Sequence, residues 1–235
     1  MKAKVNIDSF QVAYQPIVRS ASLQQKEVKK EKYEALLRYD NSAGFPANIY
    51  KTLLPSEKKQ VTEKIIETVL KKLNNPDSNI EISINITYSD IENLKNILQL
   101  LDKYKNGAKK LIFEFIEEEE LINKLAVKTF MREVKAYNCK FALDDFGKGY
   151  ATFGPLLDFD FDIIKFDKVL TQNFSRKAKH FFVLEQIIQI CQRLNISTVI
   201  EHIEHNDDLS AAILIGADYL QGFHPKLGKP SFNIE

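Results

Sequence analysis

The stretch FALDDFGKGY at residues 141–150 is an apolar run that ends in two adjacent aspartates and a pair of glycines. Such a pattern is typical of a buried strand that stops at a loop. Asp144 and Asp145 place two like charges side by side, which either begins an ordinary turn or holds a divalent cation. A kinase-type Asp-Phe-Gly site is excluded, because the accompanying Gly-rich and HRD-type loops are absent from the sequence. The cation alternative requires further ligands elsewhere in the chain.

The composition indicates one globular domain. A chain of 235 residues has the usual size of a single strand-helix barrel, and neither a Pro-, Gly- or Ser-rich linker nor a repeat divides it. We therefore expect a single domain over residues 1–235. Lys and Arg number 33 against 32 Asp and Glu, so no basic surface is available for bulk nucleic acid.

Two features predict the cellular compartment. Cys139 and Cys191 are too few for a disulfide framework and are expected to be free thiols in a reducing environment. The first residues, MKAKVNIDS, lack the apolar core of a signal peptide, and no apolar run approaches the ~20 residues of a membrane helix. We expect a cytoplasmic protein that does not enter the membrane.

Short apolar runs alternate with amphipathic segments along the chain. Eight runs have the length and pattern of strands: 10–18, 33–39, 80–86, 110–116, 139–145, 162–166, 196–202 and 218–223. Amphipathic helical segments, such as 61–73, 91–101, 121–137 and 181–194, lie between most of them. Eight strands that alternate with helices predict an α/β fold with a closed, mainly parallel barrel.

The first connection breaks this alternation. Residues 19–32, RSASLQQKEVKKEK, are too polar and too poor in apolar periodicity for a crossover helix. Adjacent parallel strands need such a crossover, whereas antiparallel strands can be joined by a hairpin. The first strand is therefore predicted to run antiparallel to the second.

Polar residues end nearly every predicted strand, where the chemistry of a strand-helix barrel gathers. They are Asn85, Glu114, Asp144, Asp145, Lys165, Glu201 and Gln221. In the second strand Glu34 and Arg38 share one face and point toward the same end of the barrel. So many converging acids require a cation, and an oxygen-only ligand set favours Mg²⁺ or Mn²⁺ over Zn²⁺. His202 and His205 match no zinc-hydrolase spacing and are expected to be surface residues.

These residues lie within an ordered set of motifs that resembles the EAL domain family of cyclic di-GMP phosphodiesterases. The motifs are YQPI at 14–17, EALLR at 34–38, INIT at 84–87, EFIE at 114–117, DDFGKGY at 144–150, DIIKFD at 162–167, EHIE at 201–204 and QGF at 221–223. The resemblance covers nearly the whole chain. It implies a single EAL domain with a modified TIM (β/α)8-type barrel, in which one strand is antiparallel to the rest.

The resemblance also implies a role for each site residue. The positions that match metal ligands are Glu34, Asn85, Glu114 and Asp144, with Asp145 serving a second ion. The positions that match substrate contacts are Gln15, Arg38 and Gln221. Lys165 matches the lysine near the nucleophilic water, Glu201 an acid assigned either as a base or as support for the metal site, and Glu117 the glutamate that steadies the loop after the aspartates. Glu34, Lys165 and Glu201 are thus the catalytic candidates.

The implied activity is hydrolysis of cyclic di-GMP to linear 5'-pGpG with two Mg²⁺ or Mn²⁺ ions. Two divalent ions about 3.5–4 Å apart can share a water molecule, lower its pKa, and stabilise both oxygens of an in-line displacement. The substrate follows from the resemblance alone, because the residues themselves indicate only metal-assisted phosphoester hydrolysis. Homodimerisation is common in the family, and no feature of this sequence decides it.

Several loop positions depart from the family pattern. Lys148 and Ile116 stand where threonine is common, and His202 stands where glycine is common. The segment GFPANIY at 44–50 is shorter than usual and has Ile49 in place of an aromatic residue. These changes keep a second hypothesis open, in which a weakly active or inactive EAL-like domain binds cyclic di-GMP or a regulatory protein without hydrolysis.

Overall fold

Eight strands close into a barrel in chain order. The computed structural model describes residues 5–25, 28, 30–116, 123–149 and 151–234. The strands are β1 (Phe10–Arg19), β2 (Lys32–Tyr39), β3 (Glu81–Ile86), β4 (Leu111–Phe115), β5 (Lys140–Phe146), β6 (Ile163–Phe166), β7 (Ser197–Ile200) and β8 (Tyr219–Leu220). The predicted α/β barrel is confirmed.

Helices cover the outside of the barrel. In the described part of the chain they are α1 (Ala47–Tyr50), α2 (Pro55–Leu73), α3 (Tyr88–Ile91), α4 (Leu94–Lys103), α5 (Lys105–Ala108), α6 (Lys124–Lys135), α7 (Phe153–Asp158), α8 (Lys168–Thr171), α9 (Ala178–Arg193) and α10 (Asn206–Leu214). Helix α2 begins at Pro55, which suits a first helical turn. It buries Ile66, Val69, Leu70 and Leu73, whose three- and four-residue spacing forms one apolar face.

Strand β1 runs antiparallel to both of its neighbours, β2 and β8, while the other neighbouring pairs are parallel. The chain leaves β1 through a short 3-10 helix, Ser20–Gln24, and returns without a crossover helix. The prediction from the polar first connection is therefore confirmed. The hairpin register sets Gln15 of β1 opposite Glu34 of β2.

The last two strands are shorter than the apolar runs predicted. Strand β7 ends at Ile200, because the backbone at His202 turns into the left-handed region with φ +59°. Strand β8 has only Tyr219 and Leu220, whereas residues 218–223 were predicted. Beyond β8 the chain is held by single contacts, such as the Ile203 amide donating to the Gln221 carbonyl at 3.1 Å.

Two apolar layers alternate across the barrel wall. A small inner cluster is formed by Ile17, Ile112, Ala142, Ile163 and Val199, one residue from each of five strands. Their sequence neighbours, such as Phe113 and Phe141, belong to the large cluster between strands and helices. Because successive strand residues face opposite sides, residues two positions along from the inner cluster also point into the barrel.

Both cysteines lie inside the fold. Cys139 and Cys191 are free and buried, and burial raises the pKa of their thiols to about 12 and about 11. Among the described helices, none combines the length and apolar character that crossing a bilayer requires.

Replacing Gly107 with alanine is expected to weaken the packing of α5 on α2. A Cβ at this position lies 2.7 Å from the Leu70 carbonyl oxygen, a backbone atom that cannot rotate away. We expect Gly107→Ala to lower the free energy of unfolding by about 1–3 kcal/mol, measured by chemical denaturation. Gly44→Ala is the matched control, since nothing lies within 4 Å of its added Cβ. Equal stability of the two variants would contradict the contact.

Candidate active site

The inner layer of the barrel changes from apolar to polar toward the carboxyl ends of the parallel strands. Two positions beyond the inner apolar residues, on the same inward face, lie Glu114 (β4), Asp144 (β5), Lys165 (β6) and Glu201 (after β7). In the antiparallel β1, the matching residue is Gln15, two positions before Ile17. The fold thus gathers polar side chains at one mouth of the barrel, where strand-helix barrels carry their chemistry.

Lys165 occupies the centre of this mouth and is only 1% exposed. Its Nζ atom contacts four carboxylates: Glu201 Oε1 at 2.9 Å, Glu114 Oε2 at 3.1 Å, Glu34 Oε2 at 3.2 Å and Asp144 Oδ1 at 3.3 Å. These acids come from four different strands or strand ends. One ammonium group therefore holds together carboxylates that would otherwise repel one another.

Glu34 is the acid with the most partners. Gln221 donates its Nε2 hydrogen to Glu34 Oε2 at 2.7 Å, and Asn85 donates from Nδ2 to Glu34 Oε1 at 3.0 Å. Burial alone would raise the pKa of the Glu34 carboxyl, but the charge of Lys165 and these hydrogen bonds outweigh it and lower the pKa. Glu34 is thus held as a carboxylate.

The negative charges of the other three acids, Glu114, Asp144 and Glu201, are only partly offset by Lys165. Burial, with repulsion from Glu34 and Asp144, raises the pKa of Glu114 to about 8 even though Lys165 acts in the opposite direction. Burial and neighbouring acids likewise raise the pKa of Asp144 and that of Glu201. A single lysine does not neutralise four buried carboxylates, so the site requires further protons or cations.

A β-bulge explains why two aspartates stand side by side at residues 144 and 145. The β5–β6 register shifts between Leu143 and Phe146, and Asp145 has a left-handed φ of +52°. This breaks the alternation that would send neighbouring side chains to opposite faces. One carboxylate oxygen each from Asp144, Asp145 and Glu201 then lies within 4.8 Å of the others. The pair is therefore aimed at one point.

The donor set fits a hard divalent cation. Asn85 Oδ1, Asp144 Oδ1 and Gln221 Oε1 are buried and lack a hydrogen-bond partner. Asp144 Oδ1 lies 3.3 Å from Lys165 Nζ, which is an ion-pair contact without good hydrogen-bond alignment. Unpartnered buried oxygens next to three converging carboxylates are the ligands that Mg²⁺, Mn²⁺ or Ca²⁺ prefers. Among the described residues, Asp144, Asp145 and Glu201 are the group of three Asp, Glu, His or Cys side chains that lie close enough together to hold a metal ion, and the group includes no histidine.

A cavity of about 270 Å³ opens above these carboxylates. The predicted site residues that line it are Gln15, Glu34, Asp144, Lys165, Glu201 and Gln221. Arg38 is not among the described lining residues; it is buried, and its Nη1 donates to the Leu37 carbonyl at 2.8 Å. A larger groove of about 560 Å³ lies beside α3 and α6, and among the described residues that line it Glu92 is the one acid or base.

Four lining residues were not predicted as part of the site. They are His202, Glu204, Gly222 and Phe223. Ile203 between the first two is 1% exposed, whereas His202 and Glu204 on either side of it are exposed. His202 was predicted as a surface residue and is indeed exposed, but its surface is the rim of this cavity.

The residues that depart from the family pattern lie at different distances from the site. Lys148 Nζ lies 3.2 Å from Asp145 Oδ2, so its charge stands directly at the aspartate pair. Ile49 packs near Phe10 and Leu53 in a small apolar cluster and does not line the cavity. Glu117, predicted to steady the loop after the aspartates, lies outside the described residues.

Comparison with known proteins identifies the family of this architecture. The sequence model of the EAL domain matches residues 2–226. The cyclic di-GMP phosphodiesterase PdeF of Escherichia coli K12 is 30% identical over 134 residues, which is 57% of this chain and 18% of PdeF. PdeL of the same organism, also a cyclic di-GMP phosphodiesterase, is 31% identical over 129 residues, or 55% of this chain and 36% of PdeL. The chain thus spans well under half the length of these curated relatives.

Solved structures share the barrel. A standalone EAL protein of Vibrio cholerae O395 in its c-di-GMP-bound form superposes with a TM-score of 0.80 at 22% identity, over 94% of this chain and 92% of that one. The calcium and cyclic di-GMP complex of Klebsiella pneumoniae BlrP1 gives a TM-score of 0.81 at 21% identity. The match covers 100% of this chain and 59% of the BlrP1 chain. A manganese complex of BlrP1 has also been solved. These likenesses establish the fold.

The metal-free protein is expected to lose stability as the pH rises from about 4.5 to about 8. The pKa of Glu114 is about 8 in the folded protein and about 4.3 in an unfolded chain, so between these values the folded state binds a proton that the unfolded state lacks. The contribution of Glu114 to stability is therefore fully present below about pH 4.5, and it falls by at most about 1.4 kcal/mol per pH unit as the pH rises. Urea unfolding in EDTA across this range measures it.

Glu114→Gln is the matched variant for this pH dependence, because glutamine keeps the shape of the side chain without the titrating proton. The decline should be shallower in the variant, although Asp144 and Glu201, whose pKa values are also raised, contribute in the same direction. A metal-free wild-type protein whose stability is constant or increases between pH 5 and 8 would rule out the charge imbalance.

Proposed function

This chain belongs to the EAL domain family, and we propose that it is a metal-dependent phosphodiesterase that hydrolyses cyclic di-GMP to linear 5'-pGpG. The observation that carries the proposal is the barrel mouth itself, where Lys165 Nζ lies within 3.3 Å of four carboxylates. Relatives that match part of the chain are cyclic di-GMP phosphodiesterases. The same surroundings suit a phosphodiester, whose charge needs both cations and hydrogen-bond donors.

In this proposal Mg²⁺ or Mn²⁺ binds at the mouth, with two ions expected. The residues that would hold them are Glu34, Asn85, Glu114, Asp144 and Asp145. Support comes from the unpartnered oxygens of Asn85 and Asp144, and from the calcium and manganese complexes of BlrP1. Bound divalent cations lower the pKa of a water molecule and stabilise charge on the phosphoryl oxygens.

The chain's own residues would supply the rest of the chemistry. Lys165 orients the attacking water and neutralises a phosphoryl oxygen, because its ammonium is fixed among the acids. Glu201, 2.9 Å from Lys165 Nζ, accepts the proton of that water, and burial with the neighbouring acids raises its pKa and so strengthens it as a proton acceptor. The water oxygen forms a bond to phosphorus as the bond to the leaving ribose oxygen breaks. That oxygen takes up the proton that Glu201 accepted from the water and becomes the free hydroxyl of the linear product.

Three residues are proposed to position the substrate. Gln15 and Gln221 line the cavity, and the unpartnered Oε1 of Gln221 is available to a hydrogen-bond donor of the ligand. Arg38 would hold a phosphate by a charge-assisted contact after a change of its side-chain rotamer, since its Nη1 now donates to a backbone carbonyl.

The proposal also covers the molecule as a whole. We place residues 1–235 in one EAL domain, with Glu117 steadying the loop after the aspartates. The free thiols of Cys139 and Cys191 are typical of a reducing compartment, which supports a cytoplasmic location. The proposed partners are a second copy of this chain, in a homodimer, and a cyclic dinucleotide. Bulk nucleic acid is not proposed as a partner, because the net charge of the chain is only +1.

A second candidate function is binding of cyclic di-GMP without hydrolysis. The observation that favours it is the Lys148–Asp145 ion pair, at 3.2 Å. A lysine at this position adds positive charge where a second cation would bind, and it offers the same charge to a phosphate. Such a site would retain the ligand but lack one of the two cations.

Turnover distinguishes the two functions. We expect purified protein with Mn²⁺ or Mg²⁺ to convert cyclic di-GMP to the linear dinucleotide, followed by liquid chromatography. Glu34→Gln should lower kcat at least 100-fold, because it removes a carboxylate from the cation site while keeping the side-chain volume. Glu92→Gln is the control, since Glu92 is exposed and pairs with Lys59 outside the barrel. Binding without product in either metal would overturn hydrolysis and favour the second function.

Removing Lys148 is expected to strengthen metal binding. A unit charge close to a divalent ion costs on the order of 1–2 kcal/mol in solvent-exposed surroundings. Lys148→Ala should therefore bind Mn²⁺ about tenfold more tightly at one site, as measured by calorimetry on metal-stripped protein. Lys179→Ala, an exposed lysine on α9, controls for the change of net charge. The same Mn²⁺ affinity in all three proteins would show that Lys148 does not oppose the second cation.

A further inference from the structure

His202 combines an unusual backbone conformation with an exposed side chain. Its φ is +59°, in the left-handed region, and its imidazole is exposed at the rim of the 270 Å³ cavity. Among the described residues, no side chain or backbone group is a hydrogen-bond or ion-pair partner of this ring. The other described non-glycine residues with positive φ are all Asn or Asp: Asp40, Asn41, Asn138, Asp145, Asn173 and Asn195.

The left-handed conformation is unfavourable for a residue with a Cβ, because the Cβ then lies too close to the following carbonyl oxygen. Asn and Asp reduce this cost with local hydrogen bonds of their short side chains, and glycine avoids it altogether. His202 obtains no compensation from packing, because its ring is in solvent. Strained residues of this kind cluster where a ligand is bound, so the cavity rim is the place to look for the role of this ring.

The backbone brings His202 close to a second exposed aromatic ring. The Ile203 amide donates to the Gln221 carbonyl at 3.1 Å, and the His224 amide donates to the Ile203 carbonyl at 2.9 Å. A Cβ on Gly222 would lie 2.2 Å from the Ile203 oxygen, so the two segments touch through backbone. Ile203 is anchored in the core, while His202 and Phe223, which is 53% exposed, both face the cavity.

We propose that His202 and Phe223 form a nucleobase-binding rim, on which a purine of the cyclic dinucleotide stacks while its phosphate lies over Lys165. This deepens the proposed function and depends on it. The floor of the cavity is charged and suits phosphate and cations, whereas the rim carries two rings with exposed faces. Base stacking on aromatic side chains contributes to binding without a hydrogen-bond code.

If His202 is part of this rim, its replacement by glycine should raise the stability of the protein and weaken its binding of cyclic di-GMP. His202→Gly removes both the backbone strain and the ring, so its melting temperature should rise while its affinity for cyclic di-GMP falls about tenfold. His202→Phe keeps an aromatic face and should bind within about threefold of wild type. Phe223→Ala should lose a similar factor to His202→Gly. Asn138→Gly, at a left-handed position after α6 and remote from the cavity, should bind like wild type.

Calorimetry with cyclic di-GMP and Ca²⁺, the ion present with this ligand in a BlrP1 complex, measures Kd, and differential scanning fluorimetry measures the melting temperature. Wild-type affinity in His202→Gly and Phe223→Ala would overturn the rim while leaving the proposed function intact. A loss in His202→Phe as large as in His202→Gly would also overturn stacking, because the contact would then need the imidazole nitrogens. A wild-type protein that does not bind cyclic di-GMP at all would overturn both proposals.

Discussion

The ion contacts of Lys165 are the interaction on which the barrel mouth depends. Four carboxylates from separate strands converge on one Nζ atom at 2.9–3.3 Å, in a place almost closed to water. Their mutual repulsion is strong at low dielectric, and one positive charge offsets only part of it. Burial, together with the remaining repulsion, raises the pKa values of Glu114, Asp144 and Glu201. The mouth is therefore suited to bind additional positive charge.

The antiparallel β1 changes what this mouth contains. In a fully parallel barrel each strand brings its carboxyl end to the same face, whereas β1 brings its amino-terminal half there. Gln15 therefore faces the cavity beside Glu34, although it lies near the start of the chain. A neutral amide at this position completes the ring around the acids without adding another charge.

Much of this arrangement could be predicted from the sequence, because it depends on two-residue alternation and on the polar residue that ends each apolar run. Those patterns located Glu114, Asp144, Lys165 and Glu201, and the polar first connection gave the direction of β1. The bulge at Asp145 could not be predicted, since a register shift depends on the pairing with β6. The cavity rim could not be predicted for a similar reason. The sequence indicates only that His202 lies in a loop, and its place at the cavity depends on the contact of this loop with residues 221–224.

The same charge imbalance connects stability with ligand occupancy. A cation that binds only the folded barrel stabilises it by RT ln(1 + [M]/Kd), and the energy available here includes relief of repulsion among acids that the fold has already brought together. Protons relieve that repulsion at low pH and divalent ions relieve it near neutral pH, so the two compete for the same carboxylates. The Lys148 ammonium, 3.2 Å from Asp145 Oδ2, is a third positive charge that competes for the same carboxylates. Under the proposed function, we therefore expect the number of cations at the mouth to decide whether this domain hydrolyses its ligand or only binds it.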